Sequence, residues 1–372
     1  MAEGSRGTTV ERIRLLFFMH VDWNWIKQRP HFIAEELSRD GRFDVRVVHL
    51  PSWRRWNLTS NRSGVRRVPI WLLPARTSRF SRVVNRAIAR ALLRIVQRRW
   101  RPRATLITSP TLYTYLPDGL RTAPLFYDCM DVADAFGDGR GRDLVRAAER
   151  DVTARATGIF VSSAYLGDLI EGRYPNARAK PVLVRNGWEG GEIGSCETSS
   201  RGEGRPRTVA YFGTISSWLD LPILLSCLER FRELEVQLMG PVLTKLPVHQ
   251  RLHIAAPVPH DELFRAMRDV DGLILPFRMN DLTRGVDPVK LYEYLALGKP
   301  AICVYYPELE HFRGLVHFYT NAEELHALVE CLIRDPVRLC PDAAAVGAFL
   351  VGATWKRRAA IVADAIAGSI AV

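Results

Sequence analysis

At 372 residues, 47% apolar and 25% charged, the chain is long enough for two cores of ordinary size and too apolar for a disordered or collagen-like protein. Its net charge of +12 is uneven, because the stretch 51–117 carries fifteen arginines and no aspartate, glutamate or lysine, while the rest nets −3. No apolar run reaches the roughly 18–20 residues that span a bilayer, and Met1 to Val10 is polar with no signal-like stretch, so a cytoplasmic protein is expected.

Short β-branched runs alternate with stretches of helical period, the pattern of parallel sheets covered by helices. Ile13 to Met19 predicts a first strand. The loop His20-Val21-Asp22-Trp23-Asn24-Trp25 follows it, then a helix over Pro30 to Arg39 and a second strand over Asp44 to Leu50. Within 76–103, arginines at Arg79, Arg82, Arg86, Arg90, Arg94 and Arg98 recur every three or four residues and form one stripe of a basic helix. Such a stripe suits an anionic membrane surface, at the inner face of the cell membrane for a cytoplasmic protein; the plain alternative is a solvated face that covers the core. No nucleic-acid partner is expected, since apart from Trp71, Phe80 and Trp100 the stretch offers few stacking groups.

Further strands are expected at Ala104 to Thr108, Pro124 to Tyr127, Gly158 to Ser162 and Pro181 to Val184, closing a first domain over 1–186. The glycine- and serine-rich segment 187–206 reads as a linker. Strand-like runs restart at Thr208 to Phe212 and continue through Leu234 to Met239, Leu252 to Ala255, Gly272 to Pro276, Pro300 to Val304 and Leu315 to Tyr319, which makes a second domain over 207–345. Residues 346–372 read as a C-terminal helix crossing back to the first domain. The six cysteines are scattered without close pairs, so they are expected to be reduced thiols, and no metal site is expected.

In open sheets of this kind ligands bind beyond the carboxyl ends of the strands. The segment Leu273 to Pro300 is the densest in unusual features there. After the strand comes a polar loop, then Pro288 at the expected first position of a helix Val289 to Ala296 that stops before Gly298. The free N–H groups of such a helix start suit a diphosphate. Lys290 lies in the first turn, where the helix dipole disfavours a cation, and a bound anion accounts for it. Glu293, one turn on, faces the same side and can accept hydrogen bonds from ribose hydroxyls, although on spacing alone the two residues also read as a surface ion pair.

The string Pro276-Phe277, Asn280-Asp281-Leu282-Thr283, Pro288-Val289-Lys290-Leu291-Tyr292-Glu293-Tyr294-Leu295-Ala296, Gly298-Lys299-Pro300 resembles the donor-binding signature of GT-B glycosyltransferases. The likeness is to the family-four-like bacterial group that builds polysaccharides or glycolipids. Supporting matches follow in order: Trp25 with Gln28-Arg29-Pro30-His31, Tyr127-Asp128-Cys129-Met130-Asp131, Arg185-Asn186-Gly187, Tyr211-Phe212-Gly213-Thr214-Ile215, and Trp355 with Arg358. The resemblance covers nearly the whole chain. It implies an α/β GT-B architecture of two doubly wound Rossmann-like domains facing a cleft, with the acceptor on the first and the donor on the second.

It further implies a UDP- or GDP-sugar as donor substrate, no cofactor and no required metal, and a saccharide or lipid-linked acceptor. Glu293 would hold the ribose, with Lys290 beside the diphosphate and Gly213 and Thr214 in the phosphate-side loop; Leu291 is a further donor-site candidate, and by charge Arg284 can join Lys290 and the helix start in stabilising the leaving diphosphate. One departure matters: retaining members carry a glutamate eight positions before the ribose-binding one, and Gly285 stands there. An inverting enzyme needs a base on the acceptor side. Candidates are Asp22 beside His20 in the first loop, and Asp128 or Asp131 after a later strand. A sugar-nucleotide epimerase and a non-catalytic polyanion-binding protein on the same fold are the competing readings.

Overall fold

The computed structural model describes residues 11–53, 64–74, 78–136, 139–196 and 205–371. Seven strands, β1 (Ile13–Met19), β2 (Phe43–His49), β3 (Arg66–Pro69), β4 (Ala104–Ile107), β5 (Leu125–Cys129), β6 (Gly158–Val161) and β7 (Pro181–Leu183), form one sheet in the order β3-β2-β1-β4-β5-β6-β7. Six more, β8 (Arg207–Phe212), β9 (Leu234–Met239), β10 (Leu252–Ala255), β11 (Gly272–Leu275), β12 (Ala301–Val304) and β13 (His317–Tyr319), form a second in the order β10-β9-β8-β11-β12-β13. Every ladder pairing in both is parallel. Central strands such as β4 and β12 are buried along their whole length, which is why they read as unbroken apolar runs rather than alternating ones.

The sequence pattern missed β3. It is a largely exposed edge strand containing two arginines and a proline, residues that suit an edge because they discourage further pairing, and they also erase the apolar signal. In each sheet the order reverses next to the first strand of the half, between β1 and β4 and between β8 and β11, so the loops after these strands open onto a crevice.

The chain changes domain twice at one place. Trp188 donates its backbone N–H to Ala353 O at 3.0 Å and accepts from Trp355 N at 2.8 Å, and a Cβ on Gly187 would stand 2.5 Å from Ala353 O. The crossing of the C-terminal segment therefore lies at 353–354. Val346 and Leu350 of the helix Ala343–Gly352 belong to the second core, while Trp355, Val362 and Ile366 of the helix Trp355–Ala371 belong to the first. Trp355 stacks on Phe32 at 4.8 Å between ring centroids.

In the segment 187–206, residues 197–204 lie outside the described residues, and 187–196 leaves the crossing along the second domain, where Gly298 takes a φ of +67° and approaches so near Gly194 that a Cβ would lie 2.1 Å from its carbonyl oxygen. One expectation about the cysteines needs correction: not all six are thiols. Cys196 and Cys340 form a disulfide across a sequence separation of 144, with Cα atoms 5.8 Å apart. Only folding brings such distant positions together, so spacing held no sign of the bond.

The basic helix runs Arg79–Trp100, capped by Ser78, whose Oγ accepts from Ser81 N at 3.0 Å; residues 76 and 77 of the expected range lie outside the described residues. Its inner face is Asn85, Ala89, Leu93 and Trp100. Arg86, Arg94 and Arg98 are exposed, and so are Phe80, Val83 and Ile95. Among the described residues no helix is long and apolar enough to cross a membrane.

Candidate active site

A cavity of about 640 Å³ lies in the crevice between the two sheets, within the range of roughly 300–1,000 Å³ typical of ligand sites. The first domain contributes His20, Lys27, Thr108 and Asp131 to its wall, and the second contributes Gly213, Thr214, Lys290 and Glu293. Loops that follow β1, β4, β5 and β8 thus meet the helix Val289–Ala296 across one space.

On the second-domain side, Gly213 (φ +124°) and Gly240 (φ +142°) turn the chain out of β8 and β9 in backbone conformations that L side chains rarely adopt. They touch so closely that a Cβ on Gly240 would stand 2.1 Å from Gly213 O. A Cβ on Gly213 would meet Lys290 Cε at 2.3 Å, so the bare backbone makes room for the lysine. Lys290 Nζ also lies 5.6 Å from the centroid of the Tyr211 ring, and the Tyr211 hydroxyl donates to Thr214 O at 3.0 Å. Pro288 is the residue before the helix rather than its first member, because its ψ of 116° is extended. Two expected donor groups do not line the cavity. Leu291 is fully buried in the core, and Arg284 is exposed on the short turn Thr283–Gly285.

Gly285 has a structural reason. A Cβ there would lie 2.6 Å from Cδ1 of Tyr165, which belongs to the first domain, so the aromatic ring fills the space that a glutamate side chain would need. Nearby contacts hold the two domains together. Glu308 accepts from the N–H groups of Ala164 (3.1 Å) and Tyr165 (2.9 Å) and pairs with Arg185. The N–H of Asn186 donates to Asp287 Oδ2 at 2.6 Å.

Glu293 is not a surface ion pair with Lys290. Its Oε1 lies 2.8 Å from Nε2 of His260, whose Nδ1 lies 3.0 Å from Glu189 Oε2, and Glu189 in turn pairs with Lys27. Burial opposes the charge on His260, but its bonds to two carboxylates prevail and raise it to about 10. Glu189 is held down to about 2 against its own burial, chiefly by the bond from His260 and the charge of Lys27. Reading by residue type passed over His260. It stands five positions beyond β10, and the rule that ligand groups follow strand ends was the signal that pointed to it.

On the first-domain side, Asp22 and Asp128 are absent from the wall and are corrected as candidate bases. The Asp22 carboxylate accepts from Asn24 N (3.0 Å) and Ser52 N (2.8 Å), which fixes its loop. Asp128 is 1% exposed and takes three hydrogen bonds from Arg29 at 2.7 to 3.1 Å. His20 does line the cavity. Its Nδ1 sits 2.9 Å from Thr108 Oγ1, and burial lowers it to about 4, so the ring is neutral. Asp131 lines it too. Burial raises its carboxyl to about 7, with the Arg29 charge opposing and the Asp128 charge adding.

No family model matches the chain. It is 27% identical over 197 residues to TuaH of Bacillus subtilis (strain 168), provisionally named a teichuronic acid biosynthesis glycosyltransferase. That alignment spans 48% of this chain and 49% of the relative, so it covers about half of each. Among solved structures, Anabaena Alr3699/HepE in complex with UDP-glucose superposes with a TM-score of 0.70 at 12% identity, over 96% of this chain and all of that one. The apo lipopolysaccharide outer core galactosyltransferase WaaB gives 0.64 at 11% identity over 96% of this chain and 100% of its own. Sucrose-phosphate synthase from Thermosynechococcus elongatus gives 0.76 at 10% over 97% and 100%. The chain therefore has the GT-B fold, shared over nearly its whole length with a lipopolysaccharide galactosyltransferase, and about half of it is similar in sequence to a glycosyltransferase named for teichuronic acid biosynthesis.

Proposed function

We propose that this chain is a glycosyltransferase that moves a sugar from a UDP- or GDP-sugar to a hydroxyl of a saccharide or lipid-linked acceptor. The observation that carries the reading is the convergence of Lys290, Gly213 and Glu293 on one cavity. There the start of the helix Val289–Ala296 and the Lys290 ammonium stabilise the departing diphosphate, and Glu293 accepts from the ribose hydroxyls. A complex of the similarly folded HepE with UDP-glucose supports a uridine donor as the first to test.

In the reaction the acceptor oxygen bonds to the anomeric carbon as its bond to the diphosphate breaks, the electron pair leaves on the diphosphate, and the acceptor proton passes to a base. Asp131 suits that task, since a carboxylate near pH 7 is matched to proton transfer at neutral pH. Neutral His20, on the same first-domain wall of the cavity, can hydrogen-bond the acceptor hydroxyl.

The exposed arginines and apolar residues of the helix Arg79–Trp100 support docking on an anionic membrane, where a lipid-linked acceptor would reside. Exposed Trp53 and Trp71, edge to face at 5.5 Å, add amphipathic rings close by, since Asn85 of that helix accepts from Leu73 N at 2.7 Å. The test is release of nucleoside diphosphate from a panel of UDP- and GDP-sugars supplied with lipid-linked saccharide extracts. Turnover of one member, abolished in Lys290→Ala, is the expected result; no turnover of any member removes the reading.

A further inference from the structure

Glu293 is held from behind by a chain of alternating charge that crosses from one domain to the other. His260 reaches the cavity wall from the turn His260–Glu262 of the second domain, and it bonds Glu293 through Nε2 and Glu189 through Nδ1. Glu189 lies just past the domain crossing and pairs with Lys27, whose Nζ is also 3.1 Å from Glu35 Oε2 and 4.5 Å from the centroid of the Phe32 ring. Phe32 and Glu35 belong to the first-domain helix Arg29–Arg39, and the Phe32 ring meets the His260 imidazole edge to face at 5.7 Å. Among the described residues no hydrogen bond reaches Glu293 Oε2, which leaves that oxygen for a ligand.

We infer that His260 is a positioning residue for donor binding: as an imidazolium it fixes the Glu293 carboxylate for the ribose hydroxyls and, through Glu189 and Lys27, ties that carboxylate to the first domain. Occupation of the donor site and docking of the two domains then strengthen each other. The charged groups in contact with the imidazole are Glu189 and Glu293; Lys27 and Glu35 continue the chain of pairs into the first domain, Lys290 shares the helix of Glu293, and Glu262 shares the turn of His260. Two carboxylates in contact keep the ring charged through neutral pH, in line with its raised pKa.

The inference rests on Glu293 as the ribose ligand, and the experiment separates the two. UDP and GDP are titrated calorimetrically into the wild type, Glu293→Ala, His260→Gln, Glu189→Gln and the double variant Glu189→Gln/Glu293→Ala, each checked for native thermal unfolding. Glu189 does not line the cavity, so its loss touches no nucleotide directly. Glu189→Gln is expected to weaken binding about tenfold, the scale of one charge-assisted hydrogen bond, and to weaken it further as pH rises from 7 to 9 because His260 then loses its proton. The wild type stays flat over that range, and in the Glu293→Ala background the Glu189 change has no further effect. Wild-type affinity in both His260→Gln and Glu189→Gln, with Glu293→Ala impaired, overturns the positioning role alone. Wild-type affinity in Glu293→Ala overturns the ribose assignment beneath it.

Discussion

Lys290 passes so close over Gly213 that a single added carbon there would lie 2.3 Å from its Cε and 2.8 Å from its Nζ. The glycine thus serves two needs at once, a φ of +124° and an open path for the ammonium. Gly213→Ala should destabilise the protein by about 1–3 kcal/mol, the usual scale of such backbone strain. It should also weaken nucleoside diphosphate binding while sparing the free nucleoside, because only the former uses Lys290. Parallel titrations of uridine and UDP check this, and equal losses for both would point to general damage at the loop.

Gly285 is closed to larger residues by Tyr165 across the domain contact. Gly285→Ala should lower stability by about 1–3 kcal/mol, the typical penalty of overpacking, and Tyr165→Ala in the same chain should recover part of it. Thermal unfolding of the two single variants and the double variant measures the coupling. Strict additivity would mean that the ring does not exclude a side chain there.

Asp131 gives a pH signature in both activity and stability. Transfer should rise with pH through about 7 as the carboxyl ionises, and Asp131→Asn should lose that rise together with most of the turnover. Stability runs the other way: an acid whose folded pKa is raised binds more protons when folded, so its contribution is present at low pH and falls as pH climbs toward about 7. Asp131→Asn should therefore unfold at a higher temperature than the wild type at pH 8 and lose that advantage near pH 4. A pH-independent difference would contradict the raised pKa.

How far these sites could be read in advance depended on whether the signal was local. Parallel strands buried on both faces and the helix Val289–Ala296 announced themselves through apolar runs and the flanking proline and glycine, and Lys290 and Glu293 followed from their position on that helix. Partners held no such signal. Asp128 looked like a free acid until Arg29, 99 positions away, was seen to occupy it, and Asp131 three residues on was left facing the cavity. The Cys196–Cys340 bond, the Tyr165 ring over Gly285 and the His260 bridge are all contacts between distant segments. The edge strand β3 was hidden for a different reason, since its exposed arginines mask the β pattern.

The basic helix makes a prediction independent of the cavity. Arg86, Arg94 and Arg98 are exposed beside Phe80, Val83 and Ile95, so changing the three arginines to glutamine should remove sedimentation with vesicles containing an anionic phospholipid. Each basic residue near such a surface contributes on the order of 1 kcal/mol, so the loss of three should be plain at moderate salt. Nucleotide binding should not change, because none of the three lines the cavity.

The central claim is that the second domain holds a nucleotide diphosphate between Gly213, Lys290 and Glu293. Calorimetric titration of the intact chain with UDP, GDP and their sugar conjugates, repeated on Lys290→Ala, tests it most directly. The account predicts saturable one-to-one binding of one base, with affinity lost in the variant. Absence of binding across the panel, or binding that Lys290→Ala leaves intact, would contradict it.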